Sequence, residues 1–343
     1  INPAANLEAA IAAYDEAAGI MRRLGLDKDL SATLNNLGVA RSNQAEMGIN
    51  PAANLDSAIA AYDEAAGIMR RLGLDRDISS TLTNLGNAFR TQAEMGINPV
   101  ANLERAIADY EEAITIRRWL GLDRDISSTL TNLGNARRSQ AEMGINPVAN
   151  LERAIAAYEE AITIRRRLGL DRDISSTLTN LAVTYLTQAE MGIDPVANLE
   201  KAISQYQESL ALLTPEESPR DWAMTQNNLA NAYSQRILGE RSSNIEKAIQ
   251  CYHDSLEILR QENSPEEWAR TYNNLGAVYA SKIKGDQRQN IDTAIDCYKT
   301  ALKVYQRSSH PQDWARIQNN LGTLYLKKYL INQNNESESI SVN

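Results

Sequence analysis

Cys251 and His253 are the nearest this chain comes to a nucleophile beside a base. A thiol becomes a useful nucleophile when an adjacent imidazole takes its proton. Two residues apart on a helix, however, the two side chains point in different directions, so this pair forms no dyad by itself. Cys297 repeats the Cys251 position one copy later, where other copies carry Ala13, Ala61, Asp109, Ala157 and Gln205. That pattern describes a small residue at a buried edge. A Cys251–Cys297 disulfide is not expected, because equivalent helices in a stack lie about 8–10 Å apart and a disulfide needs Cα atoms within roughly 7 Å. His310 precedes Pro311 in a connector and reads as an exposed loop residue. With two Cys and two His in 343 residues, a His/Cys metal site has almost nothing to be built from. The acid pairs Glu111–Glu112 and Glu159–Glu160 lie opposite an apolar stripe and read as a solvated face. No Walker loop, G-x-G-x-x-G, G-x-S-x-G or H-E-x-x-H motif is present. The sequence predicts no catalytic activity, no cofactor and no metal.

The regular polar feature is a row of asparagines. Asn36, Asn84, Asn132, Asn180, Asn228, Asn274 and Asn320 each immediately precede a Leu-small pair, from Leu37-Gly38 to Leu321-Gly322. Asn87, Asn135 and Asn231 follow two residues after the Leu in three copies, and Arg90, Arg138, Arg270 and Arg316 lie nearby.

These residues sit in a motif written seven times. INPAANL begins at Ile1 and Ile49, INPVANL at Ile97 and Ile145, and IDPVANL at Ile193, a period of 48. Asn244-Ile245-Glu246 and Asn290-Ile291-Asp292 continue it at 46. Residues 97–144 and 145–192 differ at eight positions, six of them within 134–139. Each copy reads as two helices. In the first, Leu151, Ala154, Ile155, Tyr158, Ala161 and Ile162 fall at three- and four-residue steps, with Asn150 as an expected N-cap and Gly169 as an expected left-handed C-terminal cap. The second spans Asp125–Gly144 around Ile126, Leu130, Leu133 and Ala141. Asp125 or Ser127 is expected to cap its start, and Gly144 with Pro147 to stop it. No segment alternates with period two, so no strands are expected.

The small and large positions carry a family resemblance. Ala, Tyr and a second small residue recur at spacing 0, 4, 7, as in Ala106/Tyr110/Ala113 and Ala154/Tyr158/Ala161. Each Leu-small pair is followed three residues later by an aromatic in most copies: Phe89, Tyr185, Tyr233, Tyr279 and Tyr325, with Arg41 and Arg137 as exceptions. This resembles the tetratricopeptide repeat. Gly or Ala would let two helices approach closely, and the aromatic would fill the space beside them. The copies depart from the family in length, 46–48 residues rather than 34, and in the family's Trp position, which holds residues such as Leu82, Leu130 and Gln226. Long copies of this kind resemble kinesin light chain-like arrays and the bacterial and cyanobacterial tetratricopeptide proteins associated with CHAT protease domains.

The resemblance implies an all-α, right-handed α-solenoid of about fourteen antiparallel helices in seven units. It also implies that the second helices line a concave groove, where the Asn row matches the family's peptide-holding Asn. The implied function is a non-catalytic scaffold that binds a peptide or protein segment through Asn84, Asn132, Asn180, Asn228, Asn274 and Asn320, with Asn87, Asn135, Asn231, Arg90, Arg138, Arg270 and Arg316 beside them. The arginines suggest an acidic partner. Alternatively, the Asn side chains bond to the adjacent helix and order the stack. Two other functions stay open: a regulatory arm of a larger CHAT-type protease or signalling ATPase, and self-assembly through residues 1–27 at an uncapped end.

A change of dialect suggests sub-arrays at 1–192 and 193–330, followed by a polar tail at 331–343 expected to be disordered. The first sub-array carries 18 Arg and one Lys, the second eight of each. Trp222, Trp268 and Trp314 take a position that is apolar in every copy, which predicts a packing role. The net charge of −9 argues against a nucleic-acid partner. No apolar run approaches the roughly 18 residues of a membrane span, and no leader is visible, so a cytoplasmic location is expected. The opening Ile suggests a fragment or processed product.

Overall fold

The computed structural model describes residues 3–341. Its regular structure is helical, with fourteen α-helices and no strand among the described residues. The chain divides after Leu170 into two compact units. The first unit holds α1 (Pro3–Leu24), α2 (Asp27–Glu46), α3 (Pro51–Leu72), α4 (Asp75–Glu94), α5 (Pro99–Leu120), α6 (Asp123–Glu142) and α7 (Pro147–Leu168). The second holds α8 (Asp171–Glu190), α9 (Pro195–Leu212), α10 (Pro219–Gln235), α11 (Arg241–Ile258), α12 (Pro265–Ser281), α13 (Gln287–Ala301) and α14 (Pro311–Ser341). None of these helices is long and apolar enough to cross a membrane.

Local chemistry sets the helix ends, in part differently from the sequence expectation. α3, α5, α7 and α9 begin at a proline, whose fixed φ and missing N–H suit the first helical position. The residue before it, Asn50, Asn98, Asn146 or Asp194, takes a left-handed conformation with φ of 38–41°, which Asn and Asp tolerate best after Gly. Asn150 is therefore not the N-cap. It lies within the first turn of α7, and its Nδ2 donates to the Ile145 carbonyl at 2.8 Å; Asn54, Asn102 and Asn198 do the same. Neither Asp125 nor Ser127 caps α6, which starts two residues earlier. Asp123 and Asp125 lie in its first turn, where negative charge offsets the helix dipole, and the Ser127 hydroxyl donates to the Arg124 carbonyl. Gly169 ends α7 in the left-handed conformation as expected.

α14 continues to Ser341, through most of the segment whose composition suggests disorder. Extending an existing helix avoids the nucleation cost that a free polar peptide faces. Residues 342–343 lie outside the described residues.

The closest helix packing joins each even-numbered helix to the odd-numbered helix that follows, across the boundary of the sequence motif as written. A Cβ on Gly38, Gly86 or Gly134 would lie 2.5–2.6 Å from a ring carbon of Tyr62, Tyr110 or Tyr158. The three tyrosines are at most 2% exposed. Gly276 faces Tyr298 in the same way at 3.1 Å. The ring thus lies on the bare backbone of the neighbouring helix, and the glycine removes the atom that would hold the two apart. Each core continues through Leu and Ala at helical spacing, such as Leu55, Leu85, Leu103 and Ala106. Trp268 is buried and stacks edge-on against Tyr272 with ring centroids 4.8 Å apart, while Trp222 and Trp314 are half-buried.

Candidate functional site

The Asn row lies on the even-numbered helices, half-buried from Asn84 onward. The tyrosines packed against the glycines help to hold it. In the first unit, Tyr110 OH donates to Asn87 Oδ1 at 2.7 Å, and the same oxygen accepts Nδ2 of Asn132 at 3.1 Å. In the second, Asn231 Oδ1 accepts Tyr252 OH at 2.5 Å and Nδ2 of Asn274 at 3.2 Å. Asn135 accepts from Tyr158 at 2.7 Å, and the Tyr298 hydroxyl bonds Asn320. Asn84 donates to Asn35 Oδ1 at 3.3 Å.

Each such triad ties an even helix to the next odd helix and to the next even one. The Asn side chains therefore bond mainly to other side chains rather than to the backbone of a neighbouring helix. Burial of the rings pushes the tyrosine hydroxyls above their ordinary range, to about 12 for Tyr62. They remain neutral donors at physiological pH.

The triads use only part of each amide. Oδ1 of Asn84 and Asn132 and Nδ2 of Asn87 and Asn231 make no hydrogen bond among the described residues. The Asn228 side chain makes no hydrogen bond among the described residues; the position equivalent to Asn87 and Asn135 in the preceding even helix is Val183. The Asn180 side chain likewise makes none among the described residues. The result is a row of half-buried amides with unmatched donors and acceptors, set on rigid helices.

The arginines are less available than the sequence suggests. Arg90 pairs with Glu94, Arg138 with Glu142, and Arg316 with Asp313. These are neighbours three or four residues away on the same helix, the spacing at which helical side chains meet. Arg270 alone of the four makes no ion pair among the described residues, although its charge acts on Glu267; it donates to Met224 Sδ at 3.6 Å.

Cys251 and Cys297 are buried free thiols. Burial first, then nearby carboxylates, pushes each up to about 12, so neither is a thiolate at neutral pH. His253 is exposed on the other side of its helix. Among the described residues no three His, Cys, Asp or Glu side chains converge as a metal site would require.

Two features escaped the sequence reading. Arg117, which the sequence pattern did not single out, is 5% exposed and donates to the Asp125 carbonyl and Thr129 hydroxyl. The signal was its alignment with Met69, a core residue one period earlier. The second is a cavity of about 590 Å³ between α5, α6 and α7, beside Arg137. Its signal was Arg137 itself, standing where other copies carry an aromatic.

Among solved structures, BtubC (BKLC) from P. vanneervenii is similar with a TM-score of 0.54 at 20% identity, over 74% of this chain and 90% of that one. Taken with the Leu-Gly to Tyr packing, this decides the architecture. The fold is a tetratricopeptide-type helical repeat. In this repeat the structural unit is an even helix with the odd helix after it, such as α4 with α5 or α6 with α7. The Rap protein complexed with competence and sporulation factor gives a TM-score of 0.49 at 12% identity, over 96% of this chain and 88% of that one. MamA gives 0.41 at 18%, over 68% and 95%. A sequence profile of the soluble NSF attachment protein family, SNAP, matches residues 220–324, within the second unit. No curated protein matches the chain in sequence.

Proposed function

We propose that this protein is an interaction module that holds an extended segment of a partner by its main chain, along the even-numbered helices of each unit. The observation that carries the reading is the half-used asparagine row. A peptide backbone offers one N–H and one C=O per residue, and an amide side chain matches both. The free Oδ1 of Asn132 can accept the first, and the free Nδ2 of Asn87 can donate to the second. Rigid helices hold these groups with little ordering cost on binding. Sequence specificity then falls to side chains near the row. Arg270 is the cation with which an acidic residue of the segment would pair.

A peptide selected from a random display library on the intact protein, tested against Asn228→Ala, examines this reading. The Asn228 side chain makes no hydrogen bond among the described residues, so its loss weakens a segment held at this row and leaves the stack unchanged. Equal affinity for the variant, with Asn132→Ala also neutral, would remove the row from the binding site.

A second reading rests on α1. Ile20 and Leu24 are 41% and 66% exposed, and α1 buries only Ile11 and Ala18 fully. A second copy covering this face would associate in a concentration-dependent way. Sedimentation of a monomer at every concentration would count against that association.

A further inference from the structure

The cavity beside Arg137 differs from the preceding repeat at five lining positions, and two of these changes remove a ring and a carboxylate. One repeat earlier, Phe89 takes the Arg137 position and Asp109 takes that of Ala157. The Phe89 ring is 4% exposed, and Arg105 lies over it with its guanidinium carbon 4.8 Å from the ring centroid. In the second unit Tyr185 carries Lys201 over its ring at 5.0 Å.

At the cavity this arrangement has lost its ring. Arg137 is drawn aside, donating to Glu111 at 2.6 Å and to Asn150 at 3.4 Å. Ala157 supplies a methyl group where Asp109 supplies a carboxylate. Leu133 is left half-exposed, whereas its counterparts Leu85 and Leu181 are each 3% exposed. Arg153, the counterpart of Arg105, has no ring beneath it and no ion pair or hydrogen bond among the described residues. The volume of about 590 Å³ falls within the roughly 300–1,000 Å³ typical of ligand pockets.

We infer that this cavity is a socket for an aromatic side chain presented by an acidic segment of a partner protein. The ring takes the place that Phe89 fills one repeat earlier, against Ile114, Leu130 and Leu133. Arg153 then covers its face, as Arg105 covers Phe89, in a cation–π contact. Charge favours an acidic flank. Arg118 and Arg137 are already paired with Glu160 and Glu111, which leaves the Arg153 cation without a counter-charge. Arg137, from the stretch 134–139, and Ala157, at the Asp109/Ala157 position, both line this cavity, and at both places two otherwise near-identical copies diverge. None of the asparagines of the row lines it, so the socket does not depend on the main-chain reading above.

Fluorescence anisotropy with three labelled hexapeptides tests the socket, their cores being Glu-Phe-Glu, Glu-Ala-Glu and Lys-Phe-Lys. The intact protein should bind the first at least about ten-fold more tightly than either of the others. Arg137→Phe restores the ring found at residue 89 and fills the cavity. Arg153→Ser introduces the residue that stands at Ser57. Each should abolish the preference while a thermal melt shows an unchanged fold. The proposal is overturned by no binding of Glu-Phe-Glu up to about 1 mM, by equal binding of the three peptides, or by a preference that survives in folded Arg137→Phe and Arg153→Ser.

Discussion

The ring of Tyr158 lies against the backbone of Gly134 so closely that a Cβ on the glycine would sit 2.5 Å from Tyr158 Cε1. The ring is fully buried and its hydroxyl is tied to Asn135, so it has nowhere to retreat. Gly134→Ala gains about 1 kcal/mol in helix propensity but meets an overpacking cost of about 1–3 kcal/mol. The expected outcome is a modest net loss, and Gly134→Val should lose more. Urea unfolding of the two variants checks the order, and a stabilised Gly134→Val would refute the packing described.

Asn87→Ala removes the acceptor shared by Tyr110 and Asn132. Tyr110 is 0% exposed, so its hydroxyl proton loses its acceptor and the hydroxyl keeps only the Arg90 guanidinium beside it, at a cost of about 1–3 kcal/mol. Asn228→Ala removes no side-chain hydrogen bond among the described residues and should stay within about 0.5 kcal/mol of the parent. Equal destabilisation by the two would show that the row acts through something other than the hydrogen bonds described.

Asp109 gives the fold a pH dependence. Desolvation, then the carboxylates of Asp63 and Glu112, raise its carboxyl from 3.8 to about 7, against the opposing pull of Arg70 and Arg105. Between those values the folded state holds a proton that the unfolded state has released. Stability from this group therefore falls as pH rises from about 4 to about 7 and stays reduced above. Asp109→Ala, which matches Ala61 and Ala157, should be more stable than the parent at pH 8. The gain should be on the order of 1–2 kcal/mol after allowing for solvent screening, and should shrink to nothing near pH 4. Chemical denaturation at the two pH values measures it; a gain independent of pH would contradict the assignment.

Cys251 and Cys297 should resist iodoacetamide at pH 8 in the native protein and react once it is unfolded in urea. Rapid native labelling would mean that these helices open far more readily than their burial implies.

The helical architecture was legible because Ala, Tyr and Leu-Gly recur at fixed spacing, and that spacing fixes which faces must meet. Helix starts were less legible. Asn150 and Asp125 are good capping residues by type, yet Pro147 and Asp123 begin their helices earlier. The Asn row could be read as a row, but not its bonding. Its state is set by residues a full repeat away, such as Val183 opposite Asn228. The arginines misled for a similar reason: Glu94 and Glu142 lie four residues on from Arg90 and Arg138 and neutralise them. The cavity needed the structure, because Arg137 could have filled the space of the missing ring and instead turns to Glu111.

The central claim is that the half-used amides of the row hold a partner's main chain. The most direct measurement is the affinity of a display-selected peptide for Asn228→Ala beside the parent, with melts recorded for both. Affinity should fall about three- to ten-fold, the loss of one hydrogen bond, with the melt unchanged. Unchanged affinity in Asn228→Ala, repeated in folded Asn132→Ala, would contradict it.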